Sequence, residues 1–253
     1  MQTKTKNKKN RKLVIIPTYN ERQNIEELIE EILIVVPDIN ILVIDDNSPD
    51  GTADIVRDLA DDDERIKLVK RRKKLGLGTA YRLGFEYALH HNYEYIIEMD
   101  ADFSHDPVIL EKFLGHVDEY DLVIGSRYVK GGRMVNWPIA RWLLSFGANM
   151  YVRLITGMPI NDATAGFKCF RRRVIKSIDL TNVMSDGYAF QIEMHYKAWR
   201  NHWKLKEIPI TFVDRSNGQS KLDKKVIWEA IWMPWKLKLA PVYEYWRDEV
   251  YMG

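Results

Sequence analysis

The chain has 253 residues, 38 Lys/Arg against 36 Asp/Glu for a net charge of +2, and 46% hydrophobic residues. That is ample material for one sizeable α/β core, and too little net charge to argue for nucleic acid as a partner. The single cysteine, Cys169, excludes an intramolecular disulfide framework and a cysteine-rich zinc site, and it fits a reducing compartment.

In chain order, residues 1–12 form a basic leader carrying Lys4, Lys6, Lys8, Lys9, Arg11 and Lys12. No apolar segment follows these charges, so the leader reads as a disordered tail and not as a secretory signal. Leu13–Ile16 is a short apolar strand stopped by Pro17. Thr18–Tyr19–Asn20–Glu21 follows, then a helix from about Gln23 to Val36 with Ile25, Leu28, Ile29, Ile32 and Leu33 on one face. Ile41–Ile44 is a second strand running into Asp45–Asp46–Asn47–Ser48–Pro49–Asp50–Gly51, and Thr52–Leu59 is helical. Ile66–Val69 is a third strand. The unbroken Lys/Arg run from Lys70 to Lys74 and Gly76–Leu77–Gly78 then lead into a helix over Thr79–His91. A fourth strand spans Glu94–Met99, Pro107–Val117 is helical, and Leu122–Ile124 is a fifth strand ending in Gly125–Ser126–Arg127.

The pattern then changes. Ile139–Thr156 is an amphipathic helix with Ile139, Trp142, Leu143, Phe146, Met150 and Leu154 along one side. Asp162–Phe170 returns to the sheet, Tyr188–Arg200 is helical, Leu205–Val213 is strand-like, and Asp214–Leu222 is a polar loop. The segment 223–253 is rich in Trp and Tyr. No apolar run approaches the roughly 18 residues needed to cross a membrane.

Strands that are apolar throughout are buried on both faces, so alternating strands and helices with short connections predict one mostly parallel sheet with helices above and below. Ligands of such sheets bind beyond the carboxyl ends of the strands. The polar segments after Ile16, Ile44 and Met99 all fall at that edge. The most informative is Asp100–Ala101–Asp102–Phe103–Ser104–His105–Asp106–Pro107, an apolar strand running out into acids. Two carboxylates one residue apart can both reach a hard cation, and Mg²⁺ or Mn²⁺ prefers carboxylate and phosphate oxygens; the same stretch also suits a solvated turn that starts a helix at Pro107. The first strand–helix turn lacks Gly-x-Gly-x-x-Gly, and Gly76–Leu77–Gly78 lacks the Lys–Ser/Thr of a P-loop, which argues against a dinucleotide oxidoreductase. The six histidines show no metal-ligand spacing, and Cys169 has no His partner pattern that would make it a nucleophile.

Pro17–Thr18–Tyr19–Asn20–Glu21, Asp45–Asp46–Asn47–Ser48–Pro49–Asp50–Gly51–Thr52 and Asp100–Ala101–Asp102–Phe103–Ser104–His105 resemble the inverting nucleotide-sugar glycosyltransferases that carry an Asp-x-Asp motif. Within them, the chain from Leu13 to Leu222 is similar to the dolichol-phosphate (polyprenyl-phosphate) mannose synthases. Leu75–Gly78, Gly125–Tyr128, Asp162–Phe167 and Arg215–Leu222 add to the likeness. The resemblance implies a single Rossmann-like GT-A fold, with 13–222 as the catalytic domain and an amphipathic segment at about 137–156 within it. It also implies transfer of mannose from GDP-mannose to a dolichyl or other polyprenyl monophosphate, with Mg²⁺ or Mn²⁺, on the cytoplasmic side of a membrane.

Carried over by position, the resemblance puts Pro17, Tyr19, Glu21, Asp45, Asp100 and Ala101 around the nucleotide. Asp100 and Asp102 hold the metal, with Ser104 contributing weakly or through water, because some members have Gln there. Arg127, Arg215, Ser220 and Lys221 face donor or acceptor phosphates, and Asp162 completes a catalytic set of Asp100, Asp102, Arg127, Asp162, Arg215 and Lys221. The late loop reads Asn217–Gly218–Gln219–Ser220–Lys221 where Gly-Glu-Ser-Lys is usual. A lipid phosphate is already anionic, so no obligatory base is assigned, and Asp162 is as suited to orienting its neighbours as to a direct role. Trp137, Trp142, Phe146 and Met150, together with Trp228, Trp232, Trp235, Lys236, Lys238, Tyr243 and Trp246, either pack as core or meet an isoprenoid chain or membrane surface; a membrane-protein partner is a further means of attachment. Transfer from UDP-glucose, and a nucleotide-binding regulatory or scaffold domain without turnover, are the alternatives.

Overall fold

A computed structural model describes residues 11–183, 185, 187–213 and 224–240. Its central sheet has seven strands in the order β3-β2-β1-β4-β7-β5-β8. These are β1 (Lys12–Thr18), β2 (Asn40–Asp45), β3 (Ile66–Lys70), β4 (Tyr95–Glu98), β5 (Leu122–Ser126), β7 (Lys168–Arg171) and β8 (Leu205–Pro209). All pairings are parallel except those of β7, which runs antiparallel to both β4 and β5. The α/β, mostly parallel architecture expected from the apolar strands is therefore present, with one reversed strand near its middle.

Strand β1 shows why the sheet is covered on both sides. Leu13 and Ile15 point into one fully buried cluster and Val14 and Ile16 into the other. The second cluster is closed by α1 (Ile25–Val35), α2 (Thr52–Asp62) and α4 (Ile109–His116). The first is closed by α3 (Leu77–His90), by α6 (Arg172–Lys176), which follows β7 directly, and by α7 (Gly187–Arg200). A single turn of 3₁₀ helix at Leu180–Asn182 separates α6 from α7. The chain moves outward from β1 to β2 and β3, then returns to place β4 on the other side of β1. The β1/β4 border is thus the topological switch point, where a crevice opens beyond the strand ends.

One region departs from the sequence reading. The single strand expected over Leu205–Val213 is broken. β8 follows β5 as far as the Ser126↔Pro209 pair, and β9 (Thr211–Val213) then joins β6 (Arg133–Val135) in a separate two-stranded sheet. Pro209 has no N–H to continue a ladder. Ile210 bridges the sheets instead, donating its N–H to Ser126 O at 3.1 Å and accepting from Arg133 N at 2.9 Å.

Helix α5 (Ile139–Thr156) has the expected limits, and of the two placements left open for its apolar stripe, core or surface, it takes the outward one. Ile139 is 78% exposed, Leu154 75% and Leu143 56%, whereas Asn149, Val152, Ile155 and Thr156 are buried. Helix α8 (Lys224–Leu239) packs beside α5 and against α7. It seats Met233 and Leu237 and leaves Trp232 and Leu239 exposed. Tyr151 ties the two helices, donating its hydroxyl to Ile231 O at 2.8 Å and accepting from Trp235 Nε1 at 3.0 Å. Among the described residues, no helix is long and apolar enough to cross a membrane.

The close approach of α3 to β1 requires a glycine. A Cβ at Gly84 would lie 2.6 Å from Ile15 Cγ2 and 2.8 Å from Ile15 Cδ1. Ala improves helix propensity by about 1 kcal/mol, but overpacking costs typically about 1–3 kcal/mol. Gly84→Ala is therefore expected to lower the urea-unfolding midpoint; a midpoint at or above the parent's would show that helix and strand are not held at contact distance.

Candidate active site

At the end of β1 and β2, Asp45 is fully buried. It accepts from Thr18 Oγ1 at 2.9 Å and from Ser48 through both backbone N–H (2.9 Å) and hydroxyl (2.5 Å). Ser48 Oγ in turn accepts from Asn20 N at 3.0 Å. Asp45 thus ties the two strand ends together from below, and Pro17, Tyr19 and Glu21 lie nearer the surface. Glu21 N donates to Thr52 Oγ1 at 3.0 Å, joining the first loop to the start of α2.

Its neighbour Asp46 organises the basic run. The carboxylate forms a buried ion pair with Arg71 and accepts from Leu75 N at 3.0 Å and Gly76 N at 3.2 Å. Arg71 also donates to Thr79 Oγ1 at 2.6 Å and Gly76 O at 2.9 Å. Lys70–Lys74 is therefore not a uniform cationic patch, because Arg71 is a structural group. Lys74 reaches back over the Tyr19 ring, with Nζ 3.9 Å from its centroid, an attraction between ammonium and π-face.

Beyond β4, Asp100 and Asp102 are both half-buried, and Ala101 between them is buried. Asp100 Oδ1 accepts from the Tyr81 hydroxyl at 3.3 Å. The Asp100 N–H donates to His105 Nδ1 at 3.1 Å, so the proton of neutral His105 sits on Nε2, 3.9 Å from Asp100 Oδ2. The imidazole stacks on Phe167, centroids 4.7 Å apart at 11°. Asp102 Oδ1 accepts from both Ser104 N (3.1 Å) and Ser104 Oγ (2.6 Å). Ser104 is buried, and its hydroxyl donates to Asp102. These bonds hold Phe103 in the left-handed region, φ 58°, an uncommon conformation for a bulky residue.

This donor set is made of oxygen. Among the described residues, no group of three or more His, Cys, Asp or Glu side chains could hold a metal ion. Two carboxylates that need further oxygens from a ligand's phosphates and from water fit Mg²⁺ or Mn²⁺, and do not fit a closed all-protein cage.

Asp162 is fully buried and clamps Arg127. The guanidinium donates through Nε to Oδ2 at 2.7 Å and through Nη2 to Oδ1 at 2.6 Å, and the Arg127 backbone N–H adds a third bond at 2.9 Å. Asp162 thus fixes the Arg127 guanidinium in one orientation. Glu207 on β8 holds the loop in turn, accepting from Asn161 N and Asp162 N, each at 2.9 Å. The remaining anion-facing candidates, Arg215, Ser220 and Lys221, lie outside the described residues, as do Tyr243 and Trp246.

Three buried groups escaped the sequence reading. Glu98 and Lys168 face each other across the β4–β7 pairing, Oε2 to Nζ 3.6 Å, both fully buried. Burial pushes Glu98 up to about 7, against the pull of Lys168, and pushes Lys168 down to about 8. Lys168 also donates to Gln191 Oε1, which turns the Gln191 amide nitrogen away from it. The third is Tyr81, whose phenol is held well above its ordinary pKa by burial and then by Asp100 and Glu98. A Cβ at Gly166 would lie 3.6 Å from His105 Cε1 and 3.7 Å from both Asp100 Oδ2 and Gln191 Nε2, so these groups converge on one point. Glu193 bonds Ser185 and pairs with Lys197 at 2.8 Å, apart from this cluster. Cys169 is buried and its thiol is pushed up by burial, in keeping with an inert residue.

Comparison with known proteins gives the family. A polyprenol monophosphomannose synthase of Mycolicibacterium smegmatis is 46% identical over 223 residues, 87% of this chain and 84% of the relative. An undecaprenyl-phosphate mannosyltransferase of Micrococcus luteus is 42% identical over 221 residues, 87% of this chain and 91% of the relative. The crystal structure of glucosyl-3-phosphoglycerate synthase from Mycobacterium tuberculosis with Mn²⁺, UDP and phosphoglyceric acid shares the fold, with a TM-score of 0.68 at 16% identity over 92% of this chain and 80% of that one. Residues 13–179, which hold the switch-point crevice and both acids beyond β4, match glycosyl transferase family 2, and the chain belongs to that family, among the homologues of polyprenol- and dolichol-phosphate mannose synthases.

Proposed function

We propose that this chain transfers mannose from GDP-mannose to the phosphate of a polyprenyl monophosphate, such as dolichyl phosphate, with inversion at the anomeric carbon and release of GDP. The observation that carries this reading is the half-buried Asp100–Asp102 pair beside the β1/β4 switch point. It is supported by the names of two relatives that are more than 40% identical.

In this reading Pro17, Tyr19 and Glu21 border the nucleoside, and Asp45 and Ala101 shape its pocket from beneath. Asp100 and Asp102, with the donor's phosphates, would hold Mg²⁺ or Mn²⁺, which neutralises the charge that develops on the departing diphosphate. A lipid phosphate oxygen forms the new bond to C1 as the bond from C1 to the β-phosphate oxygen breaks. The attacking group is already anionic, so no side chain needs to remove a proton, unlike glycoside hydrolysis with its two working carboxylates. Arg127, neutralised by Asp162, lends shape more than net charge, and Arg215, Ser220 and Lys221 supply the remaining phosphate contacts. Ser104 acts by orienting Asp102.

The outward apolar faces of α5 and α8 fit peripheral contact with a membrane surface, where the acceptor's isoprenoid chain is anchored. Aromatic rings at headgroup depth with Lys236 and Lys238 on the same helix suit an anionic interface. Trp142 and Phe146 stack at 5.4 Å and 8° with both rings exposed among the described residues.

The deciding assay offers a short polyprenyl monophosphate with Mn²⁺ and either GDP-mannose or UDP-glucose. Mannosyl-phospholipid and GDP are expected; transfer from UDP-glucose alone would overturn base and sugar, and silence with both donors in folded protein would favour a domain without turnover. Asp102→Ala should lower transfer at least about 100-fold, the order lost when a group stabilising developing charge is removed, with the thermal midpoint retained; normal metal-dependent turnover would reject the assignment. Leu143→Ser combined with Trp232→Ser should reduce co-sedimentation with vesicles containing phosphatidylglycerol while transfer to a short, soluble acceptor persists. Unchanged sedimentation would remove these helices from the membrane surface.

A further inference from the structure

The core-facing side of the acid pair carries one polar atom that packing does not require. Tyr81 sits in the middle of α3, fully buried, in an aromatic wall. Its ring stacks with Phe190 (centroids 5.9 Å, 12°) and with Phe85 (6.5 Å, 25°), and Phe85 meets Phe170 edge-on at 5.5 Å. A phenylalanine would fill the same volume. The phenol adds only a hydroxyl, and a hydroxyl taken out of water costs free energy unless it is bonded. That hydroxyl donates to Asp100 Oδ1.

Asp100 is held on two sides. Tyr81 engages Oδ1 from the core, and His105 receives the Asp100 backbone N–H and presents Nε2 towards Oδ2. The carboxylate side chain retains 30% exposure, so Tyr81 engages it from inside while part of it stays open to the crevice. His105 is itself locked by stacking on Phe167, which Phe113 meets edge-on at 4.7 Å. An aspartate at the rim of a cleft otherwise exchanges among staggered rotamers, and a carboxylate oriented in advance binds a cation with less ordering cost.

We infer that Tyr81 is a positioning residue for Asp100, whose hydroxyl sets the carboxylate in the orientation that receives the cation and the donor diphosphate. The inference rests on the reading of Asp100 as the residue that meets them. Groups that orient metal-binding side chains typically contribute about 10- to 100-fold to metal affinity, and the 3.3 Å length of this bond puts Tyr81 at the low end.

The test compares Tyr81→Phe, Asp100→Asn and Phe85→Leu with the parent, following Mn²⁺ binding in the presence of GDP by the electron paramagnetic resonance signal of free Mn²⁺. Thermal midpoints and GDP binding without metal are measured alongside. Tyr81→Phe is expected to weaken Mn²⁺ binding about tenfold, with its midpoint and metal-free GDP binding unchanged, and with turnover recovering at high Mn²⁺. Asp100→Asn should nearly abolish Mn²⁺ binding. Parent-like Mn²⁺ binding by Tyr81→Phe, when Asp100→Asn has lost it, overturns the role of Tyr81 and leaves the acid pair in place. Parent-like binding by Asp100→Asn removes the acid pair and Tyr81 with it. If Tyr81→Phe is destabilised and Phe85→Leu, which alters the wall without touching Asp100, weakens Mn²⁺ equally, the effect is packing and the inference falls.

Discussion

A carboxyl group in the middle of a sheet needs a counter-charge or a proton, and the Glu98–Lys168 pair is the constraint around which this sheet is arranged. Glu98 ends β4, and with both faces of the strand covered its side chain cannot reach water. Lys168 begins β7, and only the antiparallel insertion of β7 between β4 and β5 brings it opposite. Losing one partner of such a pair leaves an uncompensated buried charge or forces a protonation change. That same insertion delivers the Asp162–Phe167 loop to the edge where β1, β2 and β4 end. It places Gly166 against Asp100 and, through Asp162, fixes Arg127 at the end of β5.

The acids at this edge divide by burial. Asp45, Asp46 and Asp162 each have a carboxylate saturated by protein donors: two strand ends for Asp45, a basic loop for Asp46, a guanidinium for Asp162. Asp100 and Asp102 keep part of their surface open. The first three tie loops together, and the last two stay open at the strand ends, where the proposed reading puts the cation and the diphosphate. A count of carboxylates at the strand ends therefore overstates how many meet a ligand directly, and the hydrogen-bond partners separate the two groups.

Much of this was legible in the sequence because short apolar runs bounded by Pro, Gly and Asp leave few alternatives. The strands from β1 to β5, the limits of α5 and the acid edge follow from that pattern. What escaped depends on partners far away in the chain. β6 is too short to signal alone and exists because it pairs with β9, whose residues read as strand but as a continuation of β8. The break at Ile210 follows from Pro209 meeting the end of β5, and the reversed direction of β7 is invisible in Lys–Cys–Phe–Arg read by itself. A signal did exist for Glu98 and Lys168, since each is a lone charge in an otherwise apolar stretch and their signs are opposite, but only the β4–β7 register makes them neighbours. Asp45 was placed at the nucleotide by the resemblance, and its complete burial, with Thr18 and Ser48 closing over it, depends on partners that no local pattern shows. The face of α5 was readable as apolar, whereas its outward direction was not, because periodicity does not say which side of a helix the core lies on.

The pair formed by Lys74 and Tyr19 bears on how the crevice fills. An ammonium resting on the ring face gives the aromatic surface a counterpart before any nucleoside arrives. The ring face that the proposed reading offers to a nucleoside is therefore already matched to positive charge, so a base stacking there would have to displace the ammonium first.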